Sequence, residues 1–238
     1  MKNLVFFHGW GASGRIWRRQ AAAFEPKARV LAPDIPAWEP EWFWQYLQEI
    51  KLPETVLVGW SLGGMLLAEA LARRPEPWPA ALVLVGVAAS FCLRRDFPHG
   101  QPAAAVRAMR RALKDDPRKV LREFARSCLA PGETPCRGEV EAVFGSPAHP
   151  ENLAPGLDYL LRQDLRKSLS RLPGGTVIIH GREDAIVAAA QAEYLYAGLP
   201  GSRLEMLPGA GHLPFLTRAS AFNEVLEELL GGGPGTFS

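Results

Sequence analysis

Long apolar runs are missing from this 238-residue chain. The first apolar stretch, residues 4–7, ends at His8-Gly9 and is too short for a signal-peptide core or a membrane span. A cytoplasmic protein with no membrane association is therefore expected. Cysteine is scarce as well: Cys92, Cys128 and Cys136 are odd in number and sit at no metal-ligand spacing. They argue against a disulfide framework and fit a reducing compartment. An excess of one charge is also lacking, since 27 Lys and Arg against 25 Asp and Glu leave a net +2, too little to argue for nucleic-acid binding. No internal repeat or long linker is visible, and only residues 231–238, opening Gly231-Gly232-Gly233-Pro234-Gly235, read as a flexible tail.

What is present is 47% hydrophobic sequence, enough for one substantial core and too short for two full domains. A monomer is expected. Short apolar runs of strand length recur at residues 4–7, 29–32, 55–58, 81–85, 176–179 and 204–207. Helical periodicity lies between them at 16–24, 42–50, 62–73, 189–197 and 220–230. Such alternation marks an α/β chain whose parallel sheet is covered on both faces. The alternation fails between about residues 88 and 171, where helical patterns continue without a strand. The chain therefore divides into core segments 1–87 and 172–230, with 88–171 inserted over the sheet as a helical lid. Within it, Asp116-Pro117 predicts a helix start, an acceptor side chain at the N-cap and proline at the first helical position. Val120, Leu121 and Phe124 would share one face of that helix.

Gly59-Trp60-Ser61-Leu62-Gly63-Gly64 follows the third apolar run and opens a helical one. The Gly-x-Ser-x-Gly pattern alone is weak, and a serine in an ordinary glycine-rich turn is the plainer alternative. In a strand-to-helix context, however, the pattern resembles the nucleophile elbow of α/β-hydrolases, where the serine is raised at the sheet edge with the positive end of a helix beneath it. A serine hydroxyl attacks only if a base removes its proton. The chain order of that superfamily, serine, acid, histidine, selects His212 among five histidines, in Leu207-Pro208-Gly209-Ala210-Gly211-His212. The alternative is a polar loop residue. The acid expected is Asp184, with Glu183 as its neighbouring competitor and a helix N-cap as its other possible role. The oxyanion of acyl transfer would be received by the backbone N–H of Leu62 and by that of Trp10, in the His8-Gly9-Trp10-Gly11 turn after the first strand.

These pieces together resemble the α/β-hydrolase superfamily over nearly the whole chain. The resemblance implies that fold, here with a mostly parallel sheet of about six strands. His8-Gly9-Trp10-Gly11, Gly59-Trp60-Ser61-Leu62-Gly63-Gly64, Leu161-Arg162-Gln163-Asp164-Leu165-Arg166 and Ala210-Gly211-His212-Leu213-Pro214-Phe215 look more narrowly like the biotin-pathway pimeloyl-[acyl-carrier protein] methyl ester esterases. That resemblance implies a carboxylester hydrolase that releases methanol from a carrier-bound ester in biotin precursor synthesis. It implies catalytic Ser61, Asp184 and His212, oxyanion donors Trp10 and Leu62, and a lid phenylalanine at Phe124. Two departures stand out. The first strand begins near Asn3, so the usual first two strands should be lacking. Asp34-Ile35-Pro36-Ala37-Trp38 also replaces an Asp-x-x-Gly-His-Gly-x-Ser loop.

Trp10, Trp60 and Phe124 are candidate substrate-binding residues, and Phe91 and Phe97 could extend an apolar channel, although such residues equally build cores. From residue 94 to 126, ten Lys and Arg stand against four Asp and Glu, +6 against −4 for the remainder. Arg118, Arg122 and Arg126, and likewise Arg107 and Arg111, recur every four residues and would line helical faces. Such faces would attract an acidic acyl-carrier protein, or be no more than solvated surface. No metal or organic cofactor is expected. The alternatives are a broad-specificity short-chain carboxylesterase, a menaquinone-pathway lyase of the same fold, and a non-catalytic ligand receptor.

Overall fold

In the computed structural model, which describes residues 2–74 and 76–232, six strands form one parallel sheet in the order β2-β1-β3-β4-β5-β6. They are β1 (Asn3–Phe7), β2 (Arg29–Leu31), β3 (Thr55–Trp60), β4 (Ala81–Val85), β5 (Val177–Gly181) and β6 (Arg203–Leu207). The inner strands read Leu-Val-Phe-Phe, Val-Leu-Val, Ala-Leu-Val-Leu-Val and Val-Ile-Ile, all buried. Continuous apolar strands are what a parallel sheet needs when helices cover both its faces. The outer strands β2 and β6 are only partly buried, and β2 is three residues long, which limits the exposed edge.

The core helices are α1 (Arg18–Phe24), α2 (Pro40–Gln48) and α3 (Ser61–Ala72). Four more, α4 (Ala103–Ala112), α5 (Pro117–Ser127), α6 (Arg137–Phe144) and α7 (Leu153–Arg162), fall between β4 and β5, and no strand of the sheet interrupts them. After β5 come α8 (Ala189–Gly198), α9 (Pro214–Thr217) and α10 (Ala219–Gly231). Every residue of α3 is buried, glycine and glutamate included, because the sheet covers one side and other elements pack on the rest.

Each strand is found within two residues of its expected place. β5 runs on to His180 and Gly181, past the residue 179 at which its apolar run stops. Helix α2 begins earlier than its apolar pattern, at Pro40, whose fixed φ suits the first helical position. The first expected helix divides into a 3₁₀ turn, Gly14–Trp17, and α1. Asp116 does cap α5: its Oδ1 accepts the Lys119 N–H at 2.8 Å, with Pro117 next. Val120 and Leu121 are buried and Phe124 is half-buried. Gly231 closes α10 instead of opening a tail, and residues 233–238 of the expected tail lie outside the described residues.

β1 pairs with β2 on one side and β3 on the other, so the chain reverses its direction of winding between β1 and β3. At such a switch point the loops leaving the two strands diverge and open a crevice at the carboxyl edge of the sheet. The loop after β1 carries His8 to Gly11; the turn after β3 carries Ser61.

Candidate active site

Ser61 is forced into an unusual backbone conformation by the abrupt turn from β3 into α3. Its φ is +53°, the only positive value for a non-glycine among the described residues, and a side chain there costs about 1–3 kcal/mol. The turn closes only because its flanks lack side chains. A Cβ on Gly59 would lie 2.6 Å from the Gly64 Cα, and one on Gly64 would lie 2.4 Å from Val87 Cγ2. The strain leaves the serine side chain at the carboxyl edge of the sheet, 9% exposed.

His212 and Asp184 reach the same point from the loops after β6 and β5. His212 Nε2 lies 2.9 Å from Ser61 Oγ, and His212 Nδ1 lies 2.7 Å from Asp184 Oδ2. With Nδ1–H donated to the carboxylate, Nε2 is left as the acceptor for the serine hydroxyl. Asp184 itself is fully engaged. The Ile186 and Val187 amides donate to its Oδ1 at 2.8 and 2.9 Å, and His180 Nε2 lies 3.5 Å from its Oδ2. Burial works against the Asp184 charge, but the facing His212, then His180 and the Val187 amide, outweigh it and hold the carboxyl below the ordinary aspartate range. Glu183, the competitor in sequence, is exposed.

His180, buried in β5, donates Nε2–H to the Val187 carbonyl at 2.8 Å and so braces the loop that presents Asp184. Burial lowers its pKa from the usual histidine value, and its Nδ1 has no partner among the described residues. Sequence reasoning passed over this residue, although it stands four positions before the acid at the end of a strand.

The loop after β1 runs beside the serine: a Cβ on Gly9 would lie 3.0 Å from Ser61 Cβ. His8 anchors this loop by donating Nδ1–H to the Gly9 carbonyl at 2.9 Å and accepting the Ile35 N–H on Nε2 at 3.0 Å. The Leu62 amide lies in the first turn of α3, where no helical carbonyl precedes it. The Trp10 amide donates to no protein acceptor among the described residues. The Trp10 indole is committed elsewhere, donating to the Leu153 carbonyl at 2.7 Å and meeting Phe124 edge-on at 5.0 Å.

A mostly apolar cleft of about 550 Å³ opens between α4, α5 and the loop after Asp184, a volume typical of small-molecule sites. Phe91, Met109, Val120, Phe124 and Ile186 line it, with Glu123 and Ser127 among the few polar groups. Phe124 joins the cleft to the Trp10 loop. Trp60 is not among the lining residues; its indole is fully buried and donates to the His212 carbonyl at 2.9 Å. Phe97 also lies apart, packed on Tyr194 and under the Arg166 guanidinium. Phe144, which sequence reasoning did not single out, packs on both Trp60 and Phe124.

The arginines of α4 and α5 differ in their partners. Arg107, Arg111, Arg118 and Arg122 are exposed and form no ion pair among the described residues. Arg126, expected to act with them, is also exposed but reaches Glu141 of α6 at 2.8 Å. Arg110 grips Asp158 of α7 through two hydrogen bonds.

A strained serine, a histidine within hydrogen-bond reach and a buried carboxylate behind it define a site able to perform base-assisted nucleophilic attack. The chain belongs to the alpha/beta hydrolase family, whose model matches residues 4–225. Among curated proteins it is similar to the pimeloyl-[acyl-carrier protein] methyl ester esterase of Aromatoleum aromaticum, 31% identical over 97% of this chain and 98% of that one. The Neisseria meningitidis protein of the same name is 28% identical over 98% of this chain and 94% of its own. Among solved structures, an esterase from Exiguobacterium antarcticum superposes with a TM-score of 0.89 at 24% identity, covering 98% of this chain and 92% of that one. No described helix is long and apolar enough to cross a membrane.

Proposed function

We propose that this chain is a serine carboxylester hydrolase of the cytoplasm that cleaves the methyl ester of a pimeloyl chain carried on acyl-carrier protein. The observation that carries the reaction class is the buried relay from Ser61 Oγ through His212 to Asp184, at 2.9 and 2.7 Å. The curated relatives that act on this ester by name align with the chain from end to end, which supports the substrate.

In this reading the ester carbonyl lies against the Trp10 and Leu62 amides while Ser61 Oγ adds to it and His212 takes the proton. The oxyanion is held by those amides, and the imidazolium by Asp184. His212 then protonates the departing methoxide, giving methanol and an acyl-enzyme. A water deprotonated by the same imidazole adds to the acyl carbonyl and frees Ser61. Helices α4 and α5 act as a lid: the cleft takes the acyl chain along Phe124. Arg107, Arg111, Arg118 and Arg122 attract the acidic carrier.

The test compares methyl pimeloyl-acyl carrier protein with a short p-nitrophenyl ester, using Ser61→Ala as the blank. Methanol release with a much higher kcat/KM on the carrier-bound ester is expected, and Ser61→Ala should lose roughly 10⁴-fold or more in kcat. Turnover of the small ester alone would leave a broad-specificity carboxylesterase. Activity that survives Ser61→Ala would overturn the nucleophile.

A further inference from the structure

An imidazole that must meet Ser61 and Asp184 at once tolerates little movement of its backbone, yet it rides on a loop containing Gly209 and Gly211. That loop is held largely from outside. The His212 N–H donates to the Cys128 carbonyl at 2.8 Å, and Trp60 holds the His212 carbonyl. The Gly211 N–H donates to Glu133 Oε2 at 3.0 Å. Cys128 and Glu133 both belong to the inserted segment, more than 75 residues from the loop they hold.

Glu133 is an expensive residue for this position. It is 2% exposed, and its Oε2 takes the Ala130 N–H at 2.8 Å as well as the Gly211 N–H. Its Oε1 has no hydrogen-bond partner among the described residues, with Arg218 Nη1 at 3.9 Å. Burying a carboxylate so incompletely partnered opposes folding, and an apolar side chain would serve packing alone. The approach is close enough to exclude any side chain at position 211. A Cβ there would lie 2.5 Å from the Cys128 carbonyl oxygen and 3.0 Å from Glu133 Oε2.

We propose that Glu133 is a positioning residue for His212, fixing from the insertion the backbone that carries the imidazole. The inference rests on the reading of His212 as general base. Residues 128–133, which follow the cleft-lining helix α5 directly, then tie the middle of the insertion to the loop that carries His212.

The experiment uses the full chain, with Glu133→Ala, Glu133→Gln and Glu133→Asp beside the wild type. It reads kcat and KM on a p-nitrophenyl ester, the low-field NMR resonance of the proton between His212 and Asp184, and the unfolding midpoint. Glu133→Ala should lower kcat by roughly 10–100-fold, as a small misplacement of a reacting group does, with KM changed less than about twofold and the resonance shifted or broadened. Glu133→Gln keeps an acceptor oxygen for both amides and should restore kcat to within about threefold of wild type. If Glu133→Ala does not fold, Glu133→Asp, whose carboxylate is drawn back by one methylene, is read in the same way. A folded variant with a lowered midpoint but wild-type kcat and an unmoved resonance overturns the proposal. A wild type without Ser61-dependent turnover would instead sink the esterase reading, while the resonance, which needs no substrate, still decides the role of Glu133.

Discussion

Lowering the pH from 7 towards 4.5 should weaken this fold through one buried imidazole, that of His8. The ring is fully enclosed. Nδ1 donates to the Gly9 carbonyl, Nε2 accepts from the Ile35 amide, and Trp38 packs edge-on at 5.7 Å. Burial drives its pKa down from 6.5 to about 4, against the opposing effects of the Gly9 carbonyl and Asp34, with His149 adding a small downward push. The unfolded chain therefore takes up a proton near pH 6.5 that the folded chain refuses until about pH 4. Stability is complete well above pH 6.5 and falls as the pH drops through that window. With a shift of this size the loss is about 0.4 kcal/mol at pH 6.5, about 2.5 kcal/mol by pH 4.5 and about 3 kcal/mol once the folded form titrates. The assay is urea denaturation of wild type and His8→Gln across that range. Glutamine keeps an acceptor for the Ile35 amide but has no titration. The variant should be the less stable at pH 7, and its deficit should shrink by about 2.5 kcal/mol by pH 4.5. Other titrating groups, His180 among them, are common to both proteins and cancel. A deficit constant to within about 0.5 kcal/mol would mean that His8 titrates normally, and the reasoning would be wrong.

Two further outcomes are expected. Tyr159 of α7 donates to Glu69 Oε2 of α3 at 2.6 Å, both buried. Tyr159→Phe should strip the carboxylate of that donor and cost about 2 kcal/mol, seen in calorimetry as a Tm lower by roughly 4–8 °C, with kcat retained. Replacing Arg118 and Arg122 together by Glu should reduce kcat/KM on the carrier-bound ester by roughly tenfold or more and flatten its salt dependence. The p-nitrophenyl ester should be turned over as before, and equal losses on both substrates would remove the docking role.

The parts of this protein legible in sequence are those set by local chemistry. Apolar runs of strand length separated by helical periodicity specify a covered parallel sheet, because strands buried on both faces and helices buried on one leave different patterns. The glycines around Ser61 are readable because the turn from β3 to α3 leaves no room for side chains at positions 59 and 64. The Asp116-Pro117 cap is readable for the same reason, its partner being only three residues away. Contacts between distant segments decided the rest. Trp60 looked like part of an acyl channel, but its indole turns to the His212 carbonyl, 152 positions away. Arg126 shares the four-residue spacing of Arg118 and Arg122, yet α6 packs against α5 and brings Glu141 to it. His180 and Glu133 leave no periodic or motif trace, since what makes them matter is the loop each one braces. A sequence pattern records what a residue needs from its neighbours in the chain. Which distant backbone amide a buried carboxylate meets depends on how helices and loops pack over the sheet, and only the tertiary structure decides that.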